Sequence, residues 1–257
     1  MVKLGQNFLI DRNMLDVVQR LSKLSDQDVV LEVGGGSGML SQRLAQRARF
    51  VHIVELDRTL ESNLQGLLAG SQNAQLHMAD ALSVDLAAFE PKPTKMIANL
   101  PYGVAATVIL RTVAELRSIQ SWVVMVQREV GERFAAASGT PAYGVPSVLA
   151  QLDCEVRILR PVSRQVFRPV PNVDSVLLGL VRRGEQRSSP AVNRLVRDAF
   201  RHRRKALAGS LALCDGREMV RERARAALVQ MGLPPDARAE RLSPQQFVEL
   251  ARRLDGH

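Results

Sequence analysis

The sequence has few aromatic residues, few cysteines and no long apolar run. Aromatic side chains make up 4% of its 257 residues, and the two cysteines are Cys154 and Cys214. Because these cysteines are far apart and match no metal-ligand spacing, we expect no metal site and a reducing, cytoplasmic environment. No apolar stretch has the length that a membrane-spanning helix requires. The chain is long enough for one large domain, or for a large domain followed by a small one.

Positive charge is in excess and is concentrated near the C-terminus. The formal net charge is +9, and the stretch from Arg182 to Arg225 holds 13 Lys/Arg against 5 Asp/Glu. A concentrated basic surface is typical of proteins that bind nucleic acid. The alternative is a solvated helical face without a ligand. We favour the nucleic-acid interpretation.

Short apolar runs alternate with helical patterns over the first half of the chain. This alternation predicts an α/β fold with a parallel sheet and right-handed crossovers. The first helix is expected to begin after Asp11, whose side chain would cap it, and to run to Leu24. The last two strands are expected to pair at one edge of the sheet. The predicted strands are Val29–Val33, Phe50–Val54, Gln75–Met78, Lys95–Ala98, Ser121–Val126, Cys154–Leu159 and Ser175–Val181.

Beyond Arg183 the strand patterns stop and helical patterns follow. Helices are expected at Ala191–Leu213, Glu218–Gln230 and Pro244–Leu254. The apolar spacing of the helix expected at Ala191–Leu213 places a set of basic residues on its outward face. This set, which we assign to nucleic-acid binding, is Arg197, Arg201, Arg204 and Lys205.

The segment Asn99–Tyr102 directly follows a predicted buried strand. Ligands of open α/β sheets bind at the carboxyl ends of the strands. The Asn99 side-chain oxygen and the Leu100 carbonyl can each accept one N–H of an amino group, and Tyr102 offers a ring for stacking. Pro101 restricts the backbone at that point. An ordinary turn between strand and helix is the alternative, since Asn and Pro are turn formers.

Three neighbouring strand ends carry residues suited to a nucleoside cofactor. Gly34, Gly36 and Gly38 follow the first strand, and their G-x-G-x-G spacing argues against a nicotinamide dinucleotide. Glu55 ends the second strand, where an acid can bind both ribose hydroxyls. Asp80 follows the third strand, within reach of an adenine ring. Each residue alone is also explained as a turn or helix-start residue, but together they favour S-adenosylmethionine as the cofactor.

The same residues carry a resemblance to a known family. The chain resembles the ribosomal small-subunit RNA adenine dimethyltransferases, the KsgA family, over nearly its whole length. Segments similar to the motifs of that family are Leu4–Leu9, Val30–Gly36, Glu55–Asp57, Asp80–Ala81, Asn99–Tyr102, Gln127–Val130, Ala142–Gly144, Val166–Ser175, Arg203–Lys205 and Leu242–Pro244.

The resemblance implies a Rossmann-like class I S-adenosylmethionine-dependent methyltransferase, with a mostly parallel seven-stranded sheet and a small C-terminal α-helical domain. It implies a catalytic domain over residues 1–185 and an RNA-binding helical domain over 186–257. The implied cofactor contacts are Asn7, Leu9, Gly34, Gly36, Glu55, Asp80 and Asn99. Asn99 and Leu100 would hold the target amino group, and Tyr102 and Phe167 would sandwich the target base.

The implied activity is transfer of methyl groups to the amino nitrogen of two adjacent adenosines near the 3′ end of 16S rRNA. The expected partner is 16S rRNA in the small subunit or its precursor, and the protein is expected to be a monomer. Asn99 and Leu100 would direct the lone pair of the amino nitrogen at the methyl group, so that catalysis is largely positioning. The base would have to leave its stack.

Three positions depart from the family pattern. Gly35 replaces a common proline, which would loosen the cofactor loop. Gly103–Ala106 replaces the usual Asn-Ile-Ser run, which would give the next helix a different cap. Of the basic residues that usually precede the opening motif, only Lys3 is present.

Three alternatives remain open at the level of sequence. The first is the related 23S rRNA adenine dimethyltransferase that confers macrolide resistance, although Leu100 and Asp174 favour the small subunit. The second is a non-catalytic RNA-binding assembly or transcription factor with the same fold. The third is a nicotinamide-dependent oxidoreductase, which the glycine spacing disfavours.

Overall fold

The computed structural model describes residues 6–216 and 218–255, which divide into two compact units. The first unit contains the described residues up to Gly131 together with Val156–Arg182. The second contains Glu132–Glu155 together with the residues from Arg183 onward. The division expected at residue 185 had placed Glu132–Glu155 in the first domain, whereas the structure groups this segment with the helical unit. Lys3 and the first two residues of the opening motif lie outside the described residues.

The seven predicted strands occur in the predicted order, and two further short strands, Phe8–Leu9 and Phe167–Arg168, were not predicted. The strands are β1 (Phe8–Leu9), β2 (Val29–Val33), β3 (Phe50–Glu55), β4 (Ala74–Met78), β5 (Lys95–Asn99), β6 (Ser121–Gln127), β7 (Cys154–Val162), β8 (Phe167–Arg168) and β9 (Ser175–Arg182). The helices are α1 (Arg12–Ser22), α2 (Met39–Ala45), α3 (Glu61–Leu68), α4 (Ala105–Glu115), α5 (Arg128–Ala135), α6 (Val145–Asp153), α7 (Pro190–Arg201), α8 (Leu207–Asp215), α9 (Glu218–Gln230) and α10 (Pro244–Asp255).

The first unit is built on a seven-stranded sheet with the order β4-β3-β2-β5-β6-β9-β7. The five strands from β4 to β6 in this order are parallel to their neighbours, and β9 runs antiparallel to β6. The expected strands are thus present, and the last two are neighbours at one edge. A separate two-stranded antiparallel sheet joins β1 to β8, with Leu9 opposite Phe167.

Apolar composition explains why the central strands form and where they lie. All five residues of β2 are buried, which is typical of a parallel strand covered on both faces. Val30, Ile53, Ile97 and Val123, from four adjacent strands, belong to one hydrophobic cluster. This buried centre holds the carboxyl ends of the parallel strands at one edge of the sheet.

Helix α1 begins as the sequence predicted. The side chain of Asp11 accepts a hydrogen bond from the backbone N–H of Met14 at 2.7 Å and so caps the first turn. The helix ends at Lys23, whose φ of 48° is left-handed. Met14, Leu15 and Val18 of α1 belong to the same hydrophobic cluster as the strand residues, so the apolar stripe packs α1 against the sheet.

In the second unit the structure corrects one predicted helix. The helix expected at Ala191–Leu213 is broken into α7 and α8 by a turn over residues 202–206. The hydroxyl of Ser210 donates to the Asp198 carbonyl at 2.6 Å and accepts from the His202 N–H at 3.3 Å. This side chain satisfies backbone groups near the end of α7, so the break leaves them partnered. Arg204 and Lys205 therefore lie in a turn and not on a helix face.

The second unit is closed by side chains that reach distant backbone carbonyls. The hydroxyl of buried Tyr143 donates to the Leu242 carbonyl at 2.9 Å. Arg203 donates to the Tyr143 carbonyl at 2.8 Å. The segment before α6 is thereby tied to the segment before α10.

Over the residues 6–216 and 218–255, no helix is both long enough and apolar enough to cross a membrane.

Candidate active site

A cavity that is open to solvent lies at the carboxyl ends of the parallel strands. It is in the first unit, and it is lined by the β1 segment, the loop after β2, the end of β3 and the turn after β5. Its lining residues are Gln6, Asn7, Phe8, Leu9, Glu32, Gly34, Gly35, Gly36, Ser37, Leu40, Glu55, Asn99, Leu100, Pro101 and Tyr102. The cavity therefore contains most of the predicted cofactor residues and the turn at Asn99.

The glycine loop after β2 approaches its neighbours more closely than a side chain would allow. Gly34 and Gly36 have φ angles of +85° and +54°, which favour glycine. A Cβ at Gly34 would lie 3.1 Å from Cδ of Pro101, and one at Gly36 would lie 3.2 Å from Cδ1 of Phe8. The two glycines thus allow the loop to approach both the Asn99 turn and β1.

Gly35, which departs from the family pattern, is packed against the core. A Cβ at this position would lie 2.7 Å from Cγ2 of Ile53 and 3.3 Å from Cδ1 of Leu64. A proline would therefore require Ile53 to move. The glycine allows the loop to pack closely on β3 and α3.

Glu55 holds the cofactor loop in place. Its Oε2 accepts from the Gly36 N–H at 2.9 Å, and its Oε1 accepts from the N–H groups of Leu56 and Asp57 at 2.8 and 2.9 Å. A carboxylate has about four acceptor positions, so these three bonds leave little capacity for a ligand. Glu55 is buried and lines the cavity, and its hydrogen bond to Gly36 links the end of β3 to the loop after β2.

Glu32 is a site residue that the sequence reasoning missed. It lies in the apolar strand β2, is 1% exposed and lines the cavity. Its Oε2 has no hydrogen-bond partner within the described part of the chain. Burial raises the pKa of Glu32 to about 8, the neighbouring Ser41 hydroxyl lowers it, and the charge of Glu55 raises it further. A single carboxyl in an otherwise apolar strand before a glycine loop was the signal for this site.

The Asn99 amide is oriented by the first strand segment. Its Nδ2 donates to the Asn7 carbonyl at 3.3 Å, which leaves the side-chain oxygen as an acceptor. The Leu100 N–H donates to the Met125 carbonyl at 3.1 Å and so fixes the start of the turn. Asn7, Leu9, Asn99 and Leu100 line the same cavity.

Tyr102 lies at the cavity with its hydroxyl anchored. The hydroxyl and Oγ of Ser175 are 2.8 Å apart and hydrogen-bonded. Burial raises the pKa of Tyr102, the bond to Ser175 opposes this, and the charge of Asp174 adds to the rise. The phenol is therefore neutral at physiological pH, and its ring is fixed in orientation. The next helix, α4, has Val104 at its N-cap without a side-chain cap, in agreement with the expected difference there.

Phe167 is not among the cavity residues. Its ring is 0% exposed and belongs to the hydrophobic cluster that also contains Leu9 and Met14. Phe167 is paired across β8 and β1 with Leu9, which does line the cavity. The role of Phe167 in holding a base stays a prediction.

Asp80 follows β4 but also lies outside the cavity lining. It is exposed, and its Oδ1 accepts from the Leu82 N–H at 2.8 Å. Backbone bonds from Ser83 and Val84 to the Asp80 carbonyl complete a turn. Asp80 is thus a turn residue here, at the strand end next to that of Glu55.

The predicted nucleic-acid residues lie on the second unit. Arg197, Arg201, Arg204 and Lys205 are exposed, and none of them forms an ion pair among the described residues. By contrast, Arg221 pairs with Glu218 at 2.7 Å. These four residues therefore leave unneutralised positive charge on α7 and the turn after it.

The seven-stranded sheet, the glycine loop after its first parallel strand and the acid at the end of the next define a Rossmann-like class I methyltransferase. The sequence profile described as ribosomal RNA adenine dimethylase matches residues 2–255. The chain belongs to this family.

Individual proteins are also similar to this chain in sequence or in fold. The ribosomal RNA small subunit methyltransferase A of Rubrobacter xylanophilus is 42% identical over 256 residues, which cover 98% of this chain and 94% of that protein. A dimethyladenosine transferase from Plasmodium falciparum has a similar fold, with a TM-score of 0.81, 24% identity and 95% of both chains covered. The 23S rRNA methyltransferase ErmE gives a TM-score of 0.71 at 29% identity, covering 97% of this chain and 100% of that one.

Proposed function

We propose that the protein transfers methyl groups from S-adenosylmethionine to the amino nitrogen of two adjacent adenosines near the 3′ end of 16S rRNA. The observation that carries this proposal is the single cavity shared by the glycine loop, Glu55 and the Asn99 turn. The family and the printed names of the small-subunit relatives support the same substrate. The substrate would place the protein in the cytoplasm, and we propose that it acts as a monomer.

The residues of the cavity fit S-adenosylmethionine. The cofactor supplies an electrophilic methyl group on a positively charged sulfur. Oε2 of buried Glu32, which has no hydrogen-bond partner among the described residues, suits a cationic ligand. The glycine loop leaves space that a Cβ would occupy. Asn7, Leu9, Gly34 and Gly36 would contact the cofactor. Glu55 would hold the ribose with the acceptor capacity that its backbone bonds leave, and Asp80 would bind the adenine once its side chain turned inward.

Asn99 and Leu100 would hold the target amino group. The amide oxygen of Asn99 and the Leu100 carbonyl would accept the two N–H groups, which directs the nitrogen lone pair away from the ring. Their main contribution is therefore orientation of the nucleophile. One such oriented contact is worth on the order of 3 kcal/mol in comparable sites. No side chain has to remove a proton first, because the cationic product loses its proton readily.

Tyr102 would stack on the target base. The bond to Ser175 fixes the Tyr102 ring at the cavity before the base arrives. Phe167 would form the second face of the sandwich only after leaving its buried position, so we propose it as a residue that acts in the RNA-bound protein. The base itself would be extruded from its stack.

The exposed residues Arg197, Arg201, Arg204 and Lys205 would bind RNA phosphates. They carry positive charge that no acidic side chain of the described residues neutralises. Phosphate contacts of this kind position a protein without reading the base sequence.

Methylation of 23S rRNA is the second candidate, because ErmE is 29% identical over nearly the whole chain. The small-subunit relative from Rubrobacter xylanophilus is 42% identical, which favours 16S rRNA. The test is incubation of labelled S-adenosylmethionine with unmethylated small subunits and, separately, large-subunit rRNA. We expect dimethyladenosine at two adjacent positions of 16S rRNA. Label in 23S rRNA alone, or in neither, would contradict the proposal.

A further inference from the structure

Three exposed apolar side chains follow the paired strands β1 and β8 and have no role in the site described so far. Ile10, Val170 and Val173 are 41%, 39% and 45% exposed. We call these three residues the apolar rim. Exposed apolar surface of this kind often marks an interaction site.

Hydrogen bonds connect the apolar rim to the cavity from two sides. Ile10 follows the cavity residue Leu9, and its N–H donates to the Val166 carbonyl at 3.0 Å. Val170 and Val173 lie between β8, which pairs with β1, and Ser175, which is bonded to Tyr102. The rim therefore lies on two segments that are both attached to the lining of the cavity.

The segment that carries the two valines is held by its own contacts. The Arg164 N–H donates to Oδ1 of Asp174 at 3.2 Å, and its guanidinium donates to the Asn172 carbonyl at 3.2 Å. The valines are thus presented to solvent by an ordered loop.

The charges around the apolar rim favour RNA over an apolar protein surface. Arg164 and Arg168 are exposed on the same segment, and neither forms an ion pair within the part of the chain that the structure describes. Positive side chains beside exposed apolar groups suit a partner with phosphates and flat bases.

We propose that the apolar rim packs against the RNA bases next to the extruded adenine and fills the gap that the adenine leaves. This inference rests on the proposed function, since it requires an extruded base. Extrusion costs stacking energy, and apolar side chains inserted beside the gap offset part of that cost. The rim would therefore accelerate delivery of the base and leave cofactor binding unchanged.

The experiment compares two double variants of the full chain. Val170→Thr with Val173→Thr keeps the side-chain shape and removes the apolar character, whereas Val170→Ile with Val173→Ile keeps it. Val181→Thr with Val229→Thr is the matched control, because these valines are 56% and 58% exposed on other elements. Single-turnover transfer to unmethylated small subunits and calorimetric affinity for S-adenosylmethionine are measured for each.

We expect the threonine variant to transfer methyl groups about fivefold more slowly or worse, since apolar contact area is lost. Its cofactor affinity should stay within about twofold, and the isoleucine and control variants should match the parent protein. An unchanged rate for the threonine variant would overturn the proposal, as would an equal loss in the isoleucine variant or a parallel loss of cofactor affinity. If the parent protein does not methylate adenine, both the proposed function and the proposed role of the rim are wrong. If only the role of the rim is wrong, the parent protein still transfers methyl groups.

Discussion

At the scale of single residues, one hydrogen bond determines what Asn99 offers to a ligand. The amide nitrogen is occupied by the Asn7 carbonyl, so the free group is an acceptor. Such an acceptor can take one N–H of an amino group, which is an interaction with the target base and not with the methyl donor. The role of Asn99 can therefore be separated from cofactor binding by mutation.

We expect Asn99→Ala to reduce transfer by about a hundredfold or more while cofactor affinity stays within about tenfold, because one oriented contact is lost. Single-turnover kinetics and calorimetry give the two quantities. Asn13→Ala, at an exposed position of α1, is the control. Equal losses of transfer and affinity would show that Asn99 is mainly a cofactor ligand.

The second residue-scale prediction concerns Glu32 and pH. With its pKa raised to about 8, the buried carboxyl is protonated at neutral pH. A bound cation would favour the charged form, so cofactor binding would release a proton below pH 8. Affinity should weaken by up to about tenfold per unit as the pH falls below this value, and it should level off above it. Titration calorimetry between pH 6 and about 9 measures this dependence.

Glu32→Gln provides the control for this prediction, because it removes the titrating proton and should flatten the pH dependence of cofactor affinity.

The same variant should also change how the stability of the protein depends on pH. The folded protein holds the Glu32 proton more tightly than the ordinary value of 4.5 would allow, so stability is lost as the pH rises from that value toward about 8. Glu32→Gln should therefore lose less stability over this range. The same loss of stability with pH in both proteins would contradict the raised pKa of Glu32.

At the scale of elements, α4 connects the Asn99 turn to the loop that follows β4. Arg111 donates to the carbonyls of Ala81 and Val84 at 2.7 and 2.8 Å, and it pairs with Glu115 at 2.8 Å. The turn that contains Asp80 is thus held by a helix that begins next to Tyr102. Arg111 is in this sense a positioning residue for Asp80.

We expect Arg111→Met to weaken cofactor affinity by about tenfold, because two charge-assisted bonds to the turn are lost. Glu115→Gln keeps Arg111 and its carbonyl bonds, so it should bind the cofactor as the parent protein does. The comparison is made by calorimetry on proteins whose thermal unfolding has been checked. If Arg111→Met bound S-adenosylmethionine normally, the turn at Asp80 would have no part in the cofactor site.

The structural elements also differ in whether the sequence alone predicts them. The glycine loop, Glu55 and the Asn99 turn were predictable because each depends on residues next to one strand end. The break between α7 and α8 was not, since it depends on Ser210 satisfying backbone groups of an earlier helix. Burial of Phe167 depends on the pairing of β8 with β1, which are distant in sequence. Glu32 was missed because an apolar strand pattern hides a single buried acid.

At the scale of the whole molecule, the excess positive charge is divided between paired and unpaired residues. Arg221 and Arg253 are neutralised by Glu218 and Glu249 within their own helices. Arg201 and Arg204 have no such partner among the described residues. Net charge alone would have treated the four as equal.

We expect Arg201→Gln with Arg204→Gln to weaken binding to small-subunit RNA and to reduce the slope of log affinity against log salt by about 1.5 to 2, since two phosphate contacts are lost. Arg221→Gln with Arg253→Gln is the matched control and should leave the slope nearly unchanged. Filter binding over a series of salt concentrations measures both. An unaltered slope in the first variant would remove these two arginines from the RNA surface.

The most direct test of the proposed site is a crystal structure of the full chain with S-adenosylhomocysteine, the product left after transfer. We expect its sulfur to lie in the cavity between the glycine loop and the Asn99 side chain, with the ribose at Glu55. A product bound outside this cavity, or an Asn99 side chain directed away from the sulfur, would contradict it.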